Sequence, residues 1–149
     1  MCKIIMVAAC LIYLPASAQL TVAAIDSICH STDTLTQKNC LMACGHSGGT
    51  ENCYLRQNED VLLFCSGNFL LRDTVFGYQY YYSAHRPIKV TLRFEARKTG
   101  KVYQAVYYFS NNTAISIRGE DASISDKETA LSYGMNHTRW FPKRRPEFL

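Results

Sequence analysis

Alternation of apolar and polar residues is clearest in the second half of the chain. Over residues 88–94, apolar side chains alternate with Lys, Thr and Arg, which is the period-two pattern of a half-buried strand. Aromatic and β-branched segments follow at 101–109 and 114–118, and short turn sequences separate them. Residues 61–65 and 78–82 have the same strand-like composition. The pattern predicts an antiparallel meander of at least three strands.

Two capping boxes predict helices on either side of this sheet. The box that begins at Thr34 predicts a helix over 35–44, after an extended lead-in over 19–31. The box at Ser125 predicts a short second helix that Gly134 ends. The predicted fold class is α+β, with a disulfide-stapled N-terminal helix packed on a twisted antiparallel β-sheet.

The first 18 residues have the features of a secretory signal peptide. Lys3 gives a basic start, residues 4–14 are an apolar run too short to span a bilayer, and small residues precede Gln19. We therefore predict a signal peptide at 1–18, one domain at 19–138 and a basic flexible tail at 139–149. The predicted localisation is extracellular, without a transmembrane segment, and the sequence leaves open whether the protein enters host cells.

Secretion determines the interpretation of the cysteines. The chain has 7 cysteines, and those after the signal peptide are Cys29, Cys40, Cys44, Cys53 and Cys65. They predict two disulfides and one remaining thiol, which is buried or pairs between chains of an otherwise monomeric protein. With five choices of unpaired cysteine and three pairings of the others, fifteen arrangements stay open. Cys40 and Cys44 with His30 and His46 match no strong zinc signature, so no metal site is predicted.

Two sequons accompany the secretory signal. They predict glycosylation at Asn111 and Asn136, provided that both positions are exposed. The Lys143-Arg144-Arg145 run in the tail is an additional candidate for proteolytic processing, which the sequence leaves open.

Positive charge is concentrated in the predicted sheet. The net charge of the chain is +4, whereas residues 86–118 carry seven basic side chains against Glu95 alone. Such a surface suits phosphate neutralisation and base stacking on single-stranded RNA. The predicted phosphate contacts are Arg86, Lys89, Arg93, Lys101 and Arg118, and the predicted stacking rings are Tyr78, Tyr80 and Tyr82. The alternatives are an ordinary solvated sheet face, an anionic membrane surface or an acidic host protein as partner.

The sequence offers little catalytic chemistry. It has neither a Gly-x-Ser-x-Gly nucleophile elbow nor a His-Glu-x-x-His metal motif, and no cofactor is predicted. Cleavage of RNA by attack of the 2′-hydroxyl needs a base, an acid and a cation. The candidate base is His85 or Glu95, and the candidate cation is Arg93 or Arg118. No histidine besides His85 adjoins the sheet segments to serve as the acid.

Three local sequences resemble the small secreted fungal ribonucleases of the T1 type and their catalytically degenerate relatives, the ribonuclease-like effectors of plant-pathogenic fungi. They are Gly77-Tyr78, Tyr81-Tyr82 followed by Pro87-Ile88, and the strand 106–109 running into Asn111-Asn112. The resemblance covers residues 76–119 and implies a ribonuclease T1-like fold. It places His85 where the family has a catalytic carboxylate and Arg118 where it has its last catalytic histidine.

The sequence therefore predicts a secreted effector that is a catalytically degenerate ribonuclease-like module and binds RNA or a host protein. A weakly active secreted endoribonuclease that uses His85 is one alternative. The other is a disulfide-stabilised toxin or inhibitor whose active surface is the half from Cys29 to Cys65.

Overall fold

The computed structural model describes residues 19–39, 42–46, 49–55, 61–119 and 127–140 of the chain. Within them, one helix precedes a run of seven strands and a second helix follows it. The elements are α1 Val22–Asn39, β1 Met42–His46, β2 Gly49–Leu55, β3 Leu62–Leu71, β4 Thr74–Ser83, β5 Arg86–Ala96, β6 Lys101–Ser110, β7 Thr113–Arg118 and α2 Lys127–Trp140. The predicted signal peptide lies outside these residues, and neither described helix is long and apolar enough to cross a membrane.

The seven strands form one antiparallel sheet in which each strand pairs with its neighbours in sequence. Short turns connect the later strands, and both residues of the Ala84-His85 and Asn111-Asn112 turns have positive φ. Two consecutive left-handed residues give a hairpin turn whose twist matches that of the strands. The meander predicted from the alternation pattern is confirmed, and it extends to seven strands.

The two helices lie on opposite faces of the sheet. On one face, Ala130 of α2 packs into a core built from the strands, which includes Tyr80, Tyr82, Val90 and Tyr107. On the other face, two residues of α1 pack on three from the strands: Ile25, Cys29, Tyr81, Ile88 and Tyr108. We call these the α2 face and the α1 face.

Helix α1 begins earlier and ends earlier than the sequence predicts. The backbone N–H of Ala24 donates to Thr21 Oγ1 at 3.2 Å, which makes Thr21 the N-terminal cap. The Thr34 hydroxyl instead donates to the carbonyl of His30 at 3.0 Å, a contact made inside a helix. The extended lead-in over 19–31 was therefore a wrong prediction. The helix predicted over 35–44 is confirmed over 35–39 and wrong over 42–44, where β1 begins.

Helix α2 runs through Gly134, where the sequence predicts its end. A Cβ atom at this position would lie 2.9 Å from Cδ1 of Tyr80 and 3.0 Å from two atoms of Pro87. Glycine therefore permits close approach of α2 to the sheet, and the helix continues to Trp140. The first two residues of the predicted tail are thus helical.

The predicted fold class, a disulfide-stapled helix on a ribonuclease T1-like sheet, is wrong. No disulfide joins α1 to the described strands, because Cys29 lies on the α1 face, Cys53 and Cys65 lie on the α2 face, and the side chains of Cys40 and Cys44 lie outside the described residues. Apolar packing and the Asp26–Lys89 ion pair, 2.7 Å from Oδ1 to Nζ, hold α1 on the sheet instead. Over the part of the chain that the structure describes, the architecture is a sequential seven-stranded meander with one helix on each face.

Candidate functional site

A cleft lies between α2 and the sheet. Its volume is about 340 Å³, which is within the range of small-molecule sites. Most of its wall is aromatic, because alternate residues of β4 and β5 point toward α2. The rings that line it are Phe69, Phe76, Tyr78, Tyr80, Phe94 and Tyr133. Tyr133 of α2 is 61% exposed, so it stands at the solvent edge of the cleft.

The aromatic rings form a continuous set of contacts. The Phe76 ring is central, with its centroid 4.6 Å from those of Phe69 and Phe94. We call the part of the cleft beside His137 its inner end. There the His137 ring stacks on Tyr78, with ring centroids 5.7 Å apart, and meets the Tyr80 ring edge-on at 5.0 Å. Offset and edge-on pairs are the favoured arrangements of such rings, so the rings of the wall pack favourably against one another.

Polar groups converge beyond the inner end of the cleft. The carboxylate atom Oε1 of Glu51 accepts hydrogen bonds from the Tyr78 hydroxyl at 2.7 Å and from the Cys65 thiol at 3.4 Å. Nε2 of His137 lies 3.6 Å from the same oxygen. Nδ1 of His137 is 2.9 Å from the Tyr82 hydroxyl. Residues of β2, β3, β4 and α2 thus meet at one carboxylate.

Burial sets the protonation of these groups. It raises the pKa of Tyr78, and the hydrogen bond to Glu51 raises it further. It also raises the pKa of Tyr82, so both hydroxyls keep their protons at neutral pH. Burial lowers the pKa of His137, although the charge of Glu51 opposes this shift. When Tyr82 donates to Nδ1 of the neutral ring, the remaining proton sits on Nε2 and faces Glu51.

The basic residues predicted to bind phosphate are divided between locations. Lys89, Arg93 and Arg118 belong to the α1 face through the register of β5, β6 and β7. Lys89 pairs with Asp26, and Arg93 pairs with Glu95 at 2.9 Å. Arg86 is exposed beside the β4–β5 turn, and Lys101 lies 5.0 Å from the Tyr103 ring centroid at the start of β6.

Tyr108 brings two of these cations together. The Nζ atom of Lys89 lies 5.1 Å from the Tyr108 ring centroid, and the guanidinium carbon of Arg118 lies 5.2 Å from it. The Tyr108 hydroxyl also donates to Asp26 Oδ1 at 3.1 Å. This cluster binds α1 to the sheet, and the sequence pattern gave no indication of Asp26 or Tyr108.

The three tyrosines predicted to stack on bases, Tyr78, Tyr80 and Tyr82, lie on the α2 face. An RNA strand on the α1 face would not reach their rings, because the sheet lies between them. Glu51, Tyr133 and His137 were missed as site residues. Glu51 and Cys53 lie on the same side of β2, two residues apart, but their meeting with α2 depends on contacts distant in sequence.

The remaining candidate residues lie away from the cleft. His85 is exposed in the β4–β5 turn, and within the described residues it makes no hydrogen bond or ion pair that would assist a catalytic base. Asn111 is exposed in the β6–β7 turn, whereas Asn136 is half-buried within α2. Cys29 is buried on the α1 face, and Cys53 and Cys65 are buried on the α2 face.

Comparisons with known proteins do not extend this description. No protein-family model matches the chain, and no curated protein or solved structure shows significant similarity to it. The functional argument therefore rests on the site alone.

Proposed function

We propose that the protein is a binding module that takes a small, flat, mainly apolar molecule into the cleft between α2 and the sheet. The observation that carries the proposal is a cavity of about 340 Å³ walled by aromatic rings. A ring-containing ligand would replace water there and gain stacking contacts with Phe76 and Phe94. The ligand's apolar body would lie between β4 and α2, with any polar group directed toward His137.

The polar groups at the inner end hold one another in a fixed arrangement. Glu51 already accepts hydrogen bonds from Tyr78 and Cys65, and His137 is held between Glu51 and Tyr82. Groups so engaged keep the inner end in one shape and present a defined set of polar atoms to a ligand.

Binding is tested by NMR with fragments such as indole, naphthol and phenylpyridine. We expect amide shifts in β3, β4, β5 and α2, and weaker binding by Phe69→Ala and Tyr133→Ala. Loss of one ring contact costs about 0.5–1.5 kcal/mol, which is about a two- to tenfold rise in Kd. Leu70→Ala is the matched control, because Leu70 adjoins Phe69 in β3 and is similarly exposed, 49% against 39%, but does not line the cleft. Equal effects of Phe69→Ala and Leu70→Ala would remove the cleft as the binding site.

RNA binding is a second candidate, and the shared face of Lys89, Arg93 and Arg118 favours it. Lys89 is a poor choice for mutation, because its loss also releases Asp26 of α1. A native gel with labelled single-stranded RNA at two salt concentrations tests the combined Arg93→Ala and Arg118→Ala variant. Weaker, less salt-dependent binding than in the exposed control Arg97→Ala supports this candidate, and unchanged binding contradicts it. Secretion through the leader stays a prediction.

A further inference from the structure

Two buried thiols face each other across neighbouring strands. Cys53 of β2 and Cys65 of β3 are directly opposite in the antiparallel register, and they are 3% and 0% exposed. Their Sγ atoms and a Glu51 carboxylate oxygen all lie within 4.8 Å of one another. Opposite residues in antiparallel strands have Cα atoms about 4.5 or 5.5 Å apart, depending on the type of pair. Both spacings lie within the range of about 4.4–6.8 Å that disulfides span.

We propose that Cys53 and Cys65 form an intramolecular disulfide that joins β2 to β3 beside Tyr80 of the cleft wall. The oxidant is a disulfide, either of a protein or of glutathione. One thiol loses its proton and attacks the oxidant, which forms a mixed disulfide and releases one thiol. The second cysteine then displaces the other half of the oxidant. Two S–H bonds and one S–S bond break, one S–S bond forms between β2 and β3, and the oxidant is reduced to two thiols.

The burial of this pair determines when it reacts. The thiolate is the reactive form of cysteine, and the contact with Cys53 together with burial raises the pKa of Cys65. An oxidant also has little access to a side chain that is 0% exposed. The disulfide therefore forms while the chain folds, before α2 covers this face. Once formed, it is shielded from reductants in the same way.

The pairing reduces the number of cysteine arrangements. Cys29 cannot reach either partner, because it packs with Tyr81 and Ile88 on the α1 face. Of the fifteen arrangements that the sequence leaves open, only the three that join Cys53 to Cys65 agree with this proposal.

The disulfide also changes the inner end of the cleft. In the thiol form, Cys65 donates to Glu51 at 3.4 Å, and oxidation removes that donor. Glu51 then keeps Tyr78 at 2.7 Å and His137 at 3.6 Å. A ligand with a donor group at this end would bind the oxidised protein more tightly, a consequence that rests on the proposed function. The disulfide itself is measured without ligand, so the two proposals fail separately.

Peptide mapping tests the pairing. The whole chain is expressed into an oxidising compartment, purified without reductant, alkylated in denaturant and digested with trypsin and Glu-C. Cleavage after Glu51 and Arg56 isolates Cys53 on peptide 52–56, away from Cys40 and Cys44, and Cys65 falls on peptide 60–72. We expect these two peptides as one linked species that disappears after reduction. Cys29→Ser should keep the linked species, and Cys65→Ser should abolish it.

Three outcomes would overturn the pairing. Peptides 52–56 and 60–72 could both be alkylated without prior reduction, which means that the thiols are free. Either peptide could be linked to a different cysteine. Both thiols could be free while the purified protein carries zinc by mass spectrometry, which would assign Glu51, Cys53 and Cys65 to a metal site.

Discussion

Ile25 provides a sensitive test of how α1 is attached to the sheet. Its side chain is completely buried and packs with Tyr81, Ile88 and Tyr108 on the α1 face. Shortening a buried isoleucine to valine costs about 0.5–1.5 kcal/mol, and shortening it to alanine costs about 2–5 kcal/mol, because a cavity remains. A domain has a total stability of about 5–15 kcal/mol, so Ile25→Ala removes a large fraction of it.

The assay is urea unfolding followed by far-UV circular dichroism. With an m-value of about 2 kcal/mol per molar urea, we expect Ile25→Ala to lower the midpoint by about 1–2.5 M and Ile25→Val to lower it by much less. Leu35→Ala is the matched control, because Leu35 lies on the same helix and is 49% exposed. Its effect should stay within about 0.5 kcal/mol. Equal midpoints for Ile25→Ala and Leu35→Ala would refute the docking of α1 through Ile25.

Other contacts give shorter tests. The folded-state pKa of His137 is lowered, so the unfolded chain binds more protons and the free energy of unfolding decreases as pH falls below about 6.5. Urea midpoints at pH 7.5 and 5.5 should therefore differ more in the wild type than in His137→Gln. Lys89→Met should cost up to about 1 kcal/mol at pH 7, and this difference should vanish in acid as Asp26, whose pKa the Lys89 hydrogen bond lowers, takes up a proton. Gly134→Ala gains about 1 kcal/mol of helix propensity, but overpacking against Tyr80 and Pro87 costs about 1–3 kcal/mol. A lower melting temperature is therefore expected, and an unchanged or higher value would contradict the close approach.

The sequence predicted the second half of the sheet because its strands carry their own signals. Alternation over 88–94 and the turns on either side of β6 are local features, so they need no knowledge of distant contacts. Strands β1 and β2 contain Gly, Asn, Cys and His residues with weak strand propensity, and they were missed. The helix start was predicted at the wrong residue, because the capping box at Thr34 gave a stronger local signal than the true cap of α1 at Thr21. Secondary structure was thus predictable where local propensity and tertiary packing agree.

The candidate site was harder to predict, because its residues come from separate parts of the chain. Glu51 meets His137 only when α2 lies on the sheet, and neither residue belongs to a recognisable motif. Gly134 shows the same limitation, since a glycine near a helix end is typical of a cap as well as of a close approach. Its role became clear from the positions of Tyr80 and Pro87.

The two faces of the sheet use polar groups for different purposes, and this difference favours the α2 face for ligand binding. On the α1 face, Lys89 and Tyr108 both bind Asp26, so their polar atoms fix the helix to the sheet. On the α2 face, the polar atoms gather beyond one end of a cavity, around Glu51 and His137, and leave an aromatic wall beside α2. Because Gly134 lets α2 approach Tyr80, which lines the cleft, a larger side chain at this position should move α2 away from the sheet and widen the cleft. Ligand size should therefore depend on the side chain at position 134 more than on the charges of the α1 face.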